Sequence, residues 1–207
     1  MATATFDGFK VDEFDRAPDM NLPQKLGTRL WLPMWIMALM GFGVGFLLAI
    51  VRADAIATGS AETTIASLGH VQAGFMFIGF ASVFAAISLA IARILGAFRT
   101  GGSSVQEVTG NRVQVLAMPR MAKAFIVGMM MAMMLIVIAV IIHFVVGASV
   151  ASGATSVADG NQAFEILDGV RRLGVGIYLF SIALGLGTII TVLKFQASKI
   201  RSLARNV

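Results

Sequence analysis

One long apolar stretch, Met118 to Val150, restricts the possible folds of this chain more than any other feature. No Asp, Glu, Lys or Arg occurs between Lys123 and Asp159. A helix needs about 20 consecutive apolar residues to cross the hydrocarbon core of a bilayer, and this stretch is longer. It therefore predicts a transmembrane helix over residues 120–150.

The composition of the whole chain also indicates a membrane protein. Of its 207 residues, 57% are hydrophobic and 13% are charged, and the mean hydropathy is +0.86. Soluble domains carry about 25% charged residues, so a soluble fold could not bury this much apolar surface. The chain has no cysteine, which excludes disulfides, thiolate metal sites and cysteine nucleophiles. The net charge of +5 lies mostly near the ends of apolar segments, so we expect membrane lipids as partners and no nucleic acid.

Three more apolar segments complete the predicted architecture. They cover residues 30–51, 68–95 and 172–193. Together with 120–150 they predict an all-α integral membrane protein, a bundle of four transmembrane helices within a domain of residues 30–207. The segment 151–171 is expected to be a loop that includes a short helix, Asn161 to Val170.

Residues 1–29 are predicted to be a cytoplasmic N-terminal tail. They have no apolar run of the kind that a signal peptide contains. Their alternating charges are typical of a mobile tail. The alternative is a docking strip that becomes ordered when Phe6, Phe9 and Phe14 meet a partner subunit.

The connection between the second and third spans has the pattern of a small β-hairpin. Residues 105–108 and 113–116 are rich in β-forming side chains, and turn-forming residues 109–112 separate them. The predicted fold therefore includes a small cytoplasmic hairpin between helices 2 and 3.

The distribution of basic residues predicts the orientation of the spans. Of the 16 Lys and Arg, 13 lie in the two terminal segments and the connection between the second and third spans, and 3 lie in the other two loops. Cytoplasmic loops are enriched in Lys and Arg. We therefore expect both termini in the cytoplasm and a multi-pass protein of the plasma (inner) membrane.

Small residues recur at helical spacing along the predicted spans. Because lipid supplies little hydrophobic drive between helices, such residues indicate where helices pack. The predicted helix-packing residues are Gly41, Gly45, Gly74, Gly128, Ala132, Gly147 and Gly185.

The two histidines, His70 and His143, lie on the same small-residue stripes as these packing positions. A histidine within a span faces protein or water and is a candidate for function. Facing helices can present two imidazoles to one cofactor, so His70 and His143 are candidate ligands for haem b or quinone. The alternative is that each histidine bonds a neighbouring hydroxyl or carbonyl. Whether a metal binds is unknown from the sequence.

Clustered methionines leave a third possibility open. Thioethers bind Cu(I), and they recur at helical spacing in the first and third spans: Met34, Met37, Met40, Met129, Met130, Met133 and Met134. Methionine is also a flexible apolar filler. No Asp, Glu, Lys or Arg lies in the middle of any predicted span, which disfavours an ion-coupled carrier.

The sequence has no nucleophile–base pair and no phosphate-binding loop, so no catalytic residue is predicted. We expect a non-catalytic accessory or structural subunit of a larger multi-subunit membrane complex, such as a respiratory or redox complex. Other membrane subunits and lipid are its expected partners. One alternative is an electron-transfer membrane anchor that binds haem b or quinone at His70 and His143, and the other is a small-solute or copper permease.

Overall fold

The computed structural model describes residues 3–108 and 112–204. Over these residues the chain forms four α-helices and three β-strands. In chain order they are β1 (Thr3–Phe6), β2 (Phe9–Phe14), α1 (Leu22–Ala57), α2 (Glu62–Val108), β3 (Val113–Leu116), α3 (Arg120–Ala151) and α4 (Val157–Ala204). The strands form one antiparallel sheet in the order β1-β2-β3.

Helices α1 to α4 are each long and apolar enough to cross a membrane. The shortest, α3, has 32 residues, which at about 1.5 Å per residue exceeds the hydrocarbon thickness of about 30 Å. The most apolar windows have mean hydropathies from 2.1 to 3.0. Over the described part of the chain, the prediction of four long apolar helices is confirmed, and it suggests a multi-pass membrane protein.

Helices α1 and α4 begin well before the predicted spans, and side-chain caps explain both starts. The Ser156 hydroxyl accepts a hydrogen bond from the Asp159 backbone N–H at 3.1 Å and donates one to the Asp159 carboxylate at 2.6 Å. At α1, the Gln24 side chain accepts a bond from the Asn21 backbone N–H at 3.0 Å, and the Asn21 side chain accepts one from the Gln24 backbone N–H at 3.2 Å. Such reciprocal caps fix helix starts. The predicted short helix over 161–170 is helical, but the rest of the predicted loop is wrong from Val157 onward, because α4 is continuous from that residue.

The predicted β-hairpin between helices 2 and 3 is also wrong. Residues 105–108 are the last turn of α2, whereas residues 113–116 are a strand, β3, as expected. The middle of the predicted turn, residues 109–111, lies outside the described residues. The Gln106 side chain accepts a bond from the Gln114 backbone N–H at 2.9 Å and donates one to its carbonyl at 3.0 Å. The Gln106 side-chain amide thus pairs with the backbone of Gln114 at the edge of β3, where residues 105–108 were predicted to form a second strand.

The partner of β3 is the N-terminal segment, so the fold is not all-α. Thr3–Phe6 and Phe9–Phe14 pair as a hairpin with Phe6 opposite Phe9. Asp7 and Gly8 between them both have positive φ, 47° and 80°. This is the geometry that Asp-Gly favours in two-residue hairpin turns. Residues 3–14 therefore form strands, where the prediction had an unstructured tail.

The chain packs as two compact units, and segments of helices α1 to α4 contribute to each. The sheet unit comprises Met1–Trp31, Ile87–Val127 and Phe180–Val207. The histidine unit comprises Leu32–Ala86 and Gly128–Leu179. The first contains the sheet, and the second contains both histidines.

In the sheet unit, the sheet packs against the C-terminal part of α4. Phe195 is 1% exposed, and its ring lies 6.2 Å from that of Phe6 and 5.7 Å from that of Phe9, both edge-on. The Ser198 hydroxyl donates a hydrogen bond to the carboxylate of Asp7 in the hairpin turn. Apolar and polar contacts therefore both hold the hairpin on α4.

Candidate functional site

The two histidines meet inside the histidine unit. His70 lies near the start of α2 and His143 near the end of α3, and each is 1% exposed. Their Nδ1 atoms lie 3.0 Å apart, and His70 Nε2 lies 3.1 Å from the carbonyl oxygen of Gly160 in the first turn of α4. One chain of hydrogen bonds therefore links α2, α3 and α4.

The partners of the two rings determine where their hydrogens lie. A carbonyl only accepts, so His70 Nε2 carries a hydrogen and donates it to Gly160. In a neutral His70 this leaves a lone pair on Nδ1, which accepts the Nδ1 hydrogen of His143. A neutral His143 then has a lone pair on Nε2. The bonding pattern therefore assigns opposite tautomers to the two rings.

His143 Nε2 is the atom of this site that remains available for chemistry. It is buried and has no hydrogen-bond partner among the residues that the structure describes. The rings of Phe77 and Phe164 lie edge-on to the imidazole, with centroids 4.9 and 5.4 Å away. A lone pair in such surroundings can accept a bond from a ligand hydroxyl or bind a metal ion.

A charged cluster lies beside the histidine pair on α4. Asp168 forms ion pairs with Arg171 and, at 2.7 Å, with Arg172. The guanidinium of Arg171 lies 5.4 Å from the centre of the Phe77 ring, which also contacts His143. The cluster thus has one negative and two positive charges on α4, and Phe77 contacts both Arg171 and the imidazole.

Glycines allow the helices to approach closely enough for this hydrogen-bond chain. A Cβ on Gly160 would lie 2.8 Å from Val150 Cγ2, and one on Gly147 would lie 3.1 Å from His70 Cβ. A Cβ on Gly74 would lie 3.0 Å from the ring of Phe144. Side chains at these positions would push the helices that carry the site apart.

The other predicted packing residues lie at further helix contacts or in the interior. A Cβ on Gly41 would lie 2.7 Å from the backbone nitrogen of Gly79, and one on Gly45 would lie 2.7 Å from Met76 Sδ. Ala132 is fully buried and Gly128 is half-buried. In the sheet unit, a Cβ on Gly185 would lie 3.1 Å from Ile91 and Phe125.

In this arrangement the histidines do not suit two axial positions on one haem. Such a haem requires the iron and porphyrin plane between two ring nitrogens. Here the Nδ1 atoms bond each other directly, the ring centroids are 5.2 Å apart, and His70 Nε2 bonds Gly160. Among the described residues, no group of three or more His, Cys, Asp or Glu side chains could hold a metal ion. A ligand of the histidine pair would therefore bind at His143 Nε2.

Several clustered methionines face outward. The exposed fractions are 45 to 69% for Met37, Met40, Met130, Met131 and Met134. Met129 is buried, and Met133 Sδ accepts a hydrogen bond from Tyr178 at 3.3 Å. This outward orientation is typical of lipid contact and differs from the inward-facing thioethers that a copper path requires.

The aromatic residues predicted to dock a partner contact this chain itself. Phe6 and Phe9 pack on Phe195, as described above. Phe14, at the end of β2, is half-buried. The sheet therefore leaves little of the Phe6 and Phe9 rings for a partner.

Comparison of the chain with protein-family models, with curated proteins and with solved structures finds no match. The sequence placed Phe164 on a short helix, but it did not indicate that this helix begins at Val157, continues into the fourth span and brings Gly160 and Phe164 to the histidines. A signal was present, because Ser156 three residues before Asp159 is a helix-start pattern. It places the start of this helix before residue 160.

Proposed function

We propose that this chain is a non-catalytic accessory subunit of a larger membrane complex, and that a transmembrane helix of a partner subunit packs on α1. The proposal includes the predicted topology, with both termini in the cytoplasm of the plasma (inner) membrane. The bias of Lys and Arg toward the terminal segments and the connection between α2 and α3 supports this orientation.

A hole on the outward face of α1 carries the proposal. A Cβ on Gly43 would have no atom within 4 Å. The four residues three and four positions away are large and apolar, with exposed fractions of 61 to 65%: Leu39, Met40, Phe46 and Leu47. A small residue ringed by four side chains is the hole into which a side chain of a second helix packs, and glycine permits close approach in lipid.

The remainder of α1 is consistent with this role. Within its most apolar window, 17% of the residues are buried, compared with 39% in α2. Glycine also lowers helix stability by about 1 kcal/mol relative to alanine, so an outward-facing glycine without a contact has no benefit for the isolated chain. Contact with a helix of a partner subunit would explain the presence of glycine at position 43.

The buried polar groups support a role without catalysis. The two histidines of the spans bond each other and a backbone carbonyl. Asp168 is ion-paired twice. The histidine bonds link α2, α3 and α4, and the ion pairs lie within α4, so these groups have structural partners.

One observation favours a second candidate, an electron-transfer anchor. The unpartnered lone pair of His143 Nε2 suits the hydroxyl of a quinol or a single bond to a haem iron. The variants of His143 described in the Discussion test it.

The variant Gly43→Leu tests the docking proposal. A Cβ at this position meets no atom within 4 Å, and the leucine projects from the exposed face of α1, so the protein is expected to keep its melting temperature. In mild-detergent extracts of native membranes, the untagged wild-type protein should run in a complex with a partner on native gels. Gly43→Leu should shift it to the mass of the chain alone.

The control is Val145→Phe, which enlarges a side chain on α3 that is 59% exposed. It should leave the complex intact. A wild-type protein that runs alone contradicts the proposal. A homodimer that is lost in Gly43→Leu supports docking on α1 but contradicts the accessory-subunit role.

A further inference from the structure

A cavity of about 240 Å³ lies inside the sheet unit, where β2, β3 and the first turn of α1 meet segments of α2, α3 and α4. Most of its wall is apolar and includes Leu95, Phe125, Ile126 and Val192. Two opposite charges, Arg99 of α2 and Asp12 of β2, also line it. The cavity thus combines an apolar wall with one cation and one anion.

These two charges are not paired. The Nε of Arg99 is buried and has no hydrogen-bond partner within residues 3–108 and 112–204. Among the ion pairs of the same residues, none includes Arg99 or Asp12. Arg99 is half-buried, and its buried Nε–H without an acceptor is unfavourable, so an anion bound in the cavity would supply the missing partner.

Four other polar side chains of the wall already have partners. Asn21 and Gln24 form the reciprocal cap of α1. The Thr188 hydroxyl donates to the Leu184 carbonyl at 2.9 Å, and Gln196 Nε2 donates to the Phe98 carbonyl at 3.2 Å. Arg99 and Asp12 are therefore the groups that determine which ligand fits.

We propose that this cavity binds a phospholipid with a zwitterionic ethanolamine headgroup. Arg99 binds the phosphate, because a guanidinium matches phosphate oxygens with paired N–H donors. Asp12 accepts hydrogen bonds from the primary ammonium, which a quaternary choline cannot donate. The acyl chain lies along Leu95, Phe125 and Val192, where it replaces water at an apolar wall.

The proposal is independent of docking on α1, and headgroup selectivity tests it. Full-length protein purified in mild detergent is mixed with equal amounts of short-chain phosphatidylethanolamine, phosphatidylcholine and phosphatidylglycerol. Native mass spectrometry counts the retained lipid. The wild-type protein should retain phosphatidylethanolamine best. Soluble phosphoethanolamine should not displace it at equal concentration, because it lacks the acyl chain.

Two variants test the roles of Arg99 and Asp12 separately. Arg99→Gln removes a charge-assisted bond to phosphate and should weaken retention of all three lipids about tenfold. Asp12→Asn should abolish the preference for phosphatidylethanolamine and favour phosphatidylglycerol, because the repulsive carboxylate is gone. The control is Arg93→Gln on the same helix: Arg93 is exposed, lies over the Trp31 ring at 5.5 Å and does not line the cavity.

Three results would overturn the proposal. They are equal retention of the three lipids by the wild-type protein, the same lipid pattern in Asp12→Asn as in wild type, and displacement by soluble phosphoethanolamine at equal concentration. If Arg99→Gln fails to fold, Asp12→Asn still decides, because it changes one charge while keeping the size of the side chain.

Discussion

His143→Leu is expected to lower the free energy of unfolding by about 1–3 kcal/mol, because it leaves a buried hydrogen-bonding group of His70 unpaired. His70→Leu should have a similar effect, since it removes the partner of His143 Nδ1. The double variant replaces both polar rings with apolar groups, which can be nearly neutral. It should therefore be more stable than the sum of the single effects predicts.

Thermal unfolding of the three variants, followed by circular dichroism in one mild detergent, gives this double-mutant cycle. Additive effects would contradict the hydrogen bond between the two rings. The same proteins test the redox candidate. A Soret band or bound quinol in wild-type protein that is lost in His143→Leu supports it. Protein without either, or with equal amounts in both forms, contradicts it.

Gly41→Leu is expected to disrupt the contact between α1 and α2. A Cβ at this position would lie 2.7 Å from the backbone nitrogen of Gly79 and 2.9 Å from its Cα. Backbone atoms of a neighbouring helix cannot move as the end of a side chain can. The loss of stability should therefore reach or exceed the range of about 1–3 kcal/mol that overpacking usually causes.

The matched comparison is Gly41→Ala against Gly43→Ala, two residues apart on one helix. The first already creates the clash and should lower the melting temperature. The second meets no atom within 4 Å and should raise stability by up to about 1 kcal/mol through helix propensity. Equal melting temperatures for the two alanine variants would contradict the observed packing of α1 on α2.

The long helices could be predicted because hydropathy alone determines them. The most apolar window of α3 has a mean hydropathy of 3.0, and no other secondary structure satisfies its backbone in lipid. The stripe of small residues also placed His70 and His143 on inward faces. The starts of α1 and α4 were harder to predict, because capping by Asn21 or Ser156 depends on local hydrogen bonds that a hydropathy average does not include.

Hydropathy did not predict the sheet or the packing of the first part of α4 against the histidines. Asp7-Gly8 is a pair that favours a hairpin turn, but the alternating charges of residues 1–29 led to the prediction of a tail. The side chain of Gln106 at the edge of β3 depends on tertiary contact and leaves no periodic pattern in the sequence. The unpaired charge of Arg99 likewise becomes visible only when its neighbours in space are known.

Site-specific crosslinking tests the docking of a partner helix on α1 most directly. The chain has no cysteine, so a single cysteine in Leu47→Cys can carry one photoreactive group beside the Gly43 hole. The control is Val145→Cys on α3, since the native side chains at the two positions are 61% and 59% exposed. Illumination in native membranes should join Leu47→Cys to one other protein of constant mass, and Val145→Cys to lipid. Lipid adducts alone at both positions, or the same protein adducts from both, would contradict the proposed docking on α1.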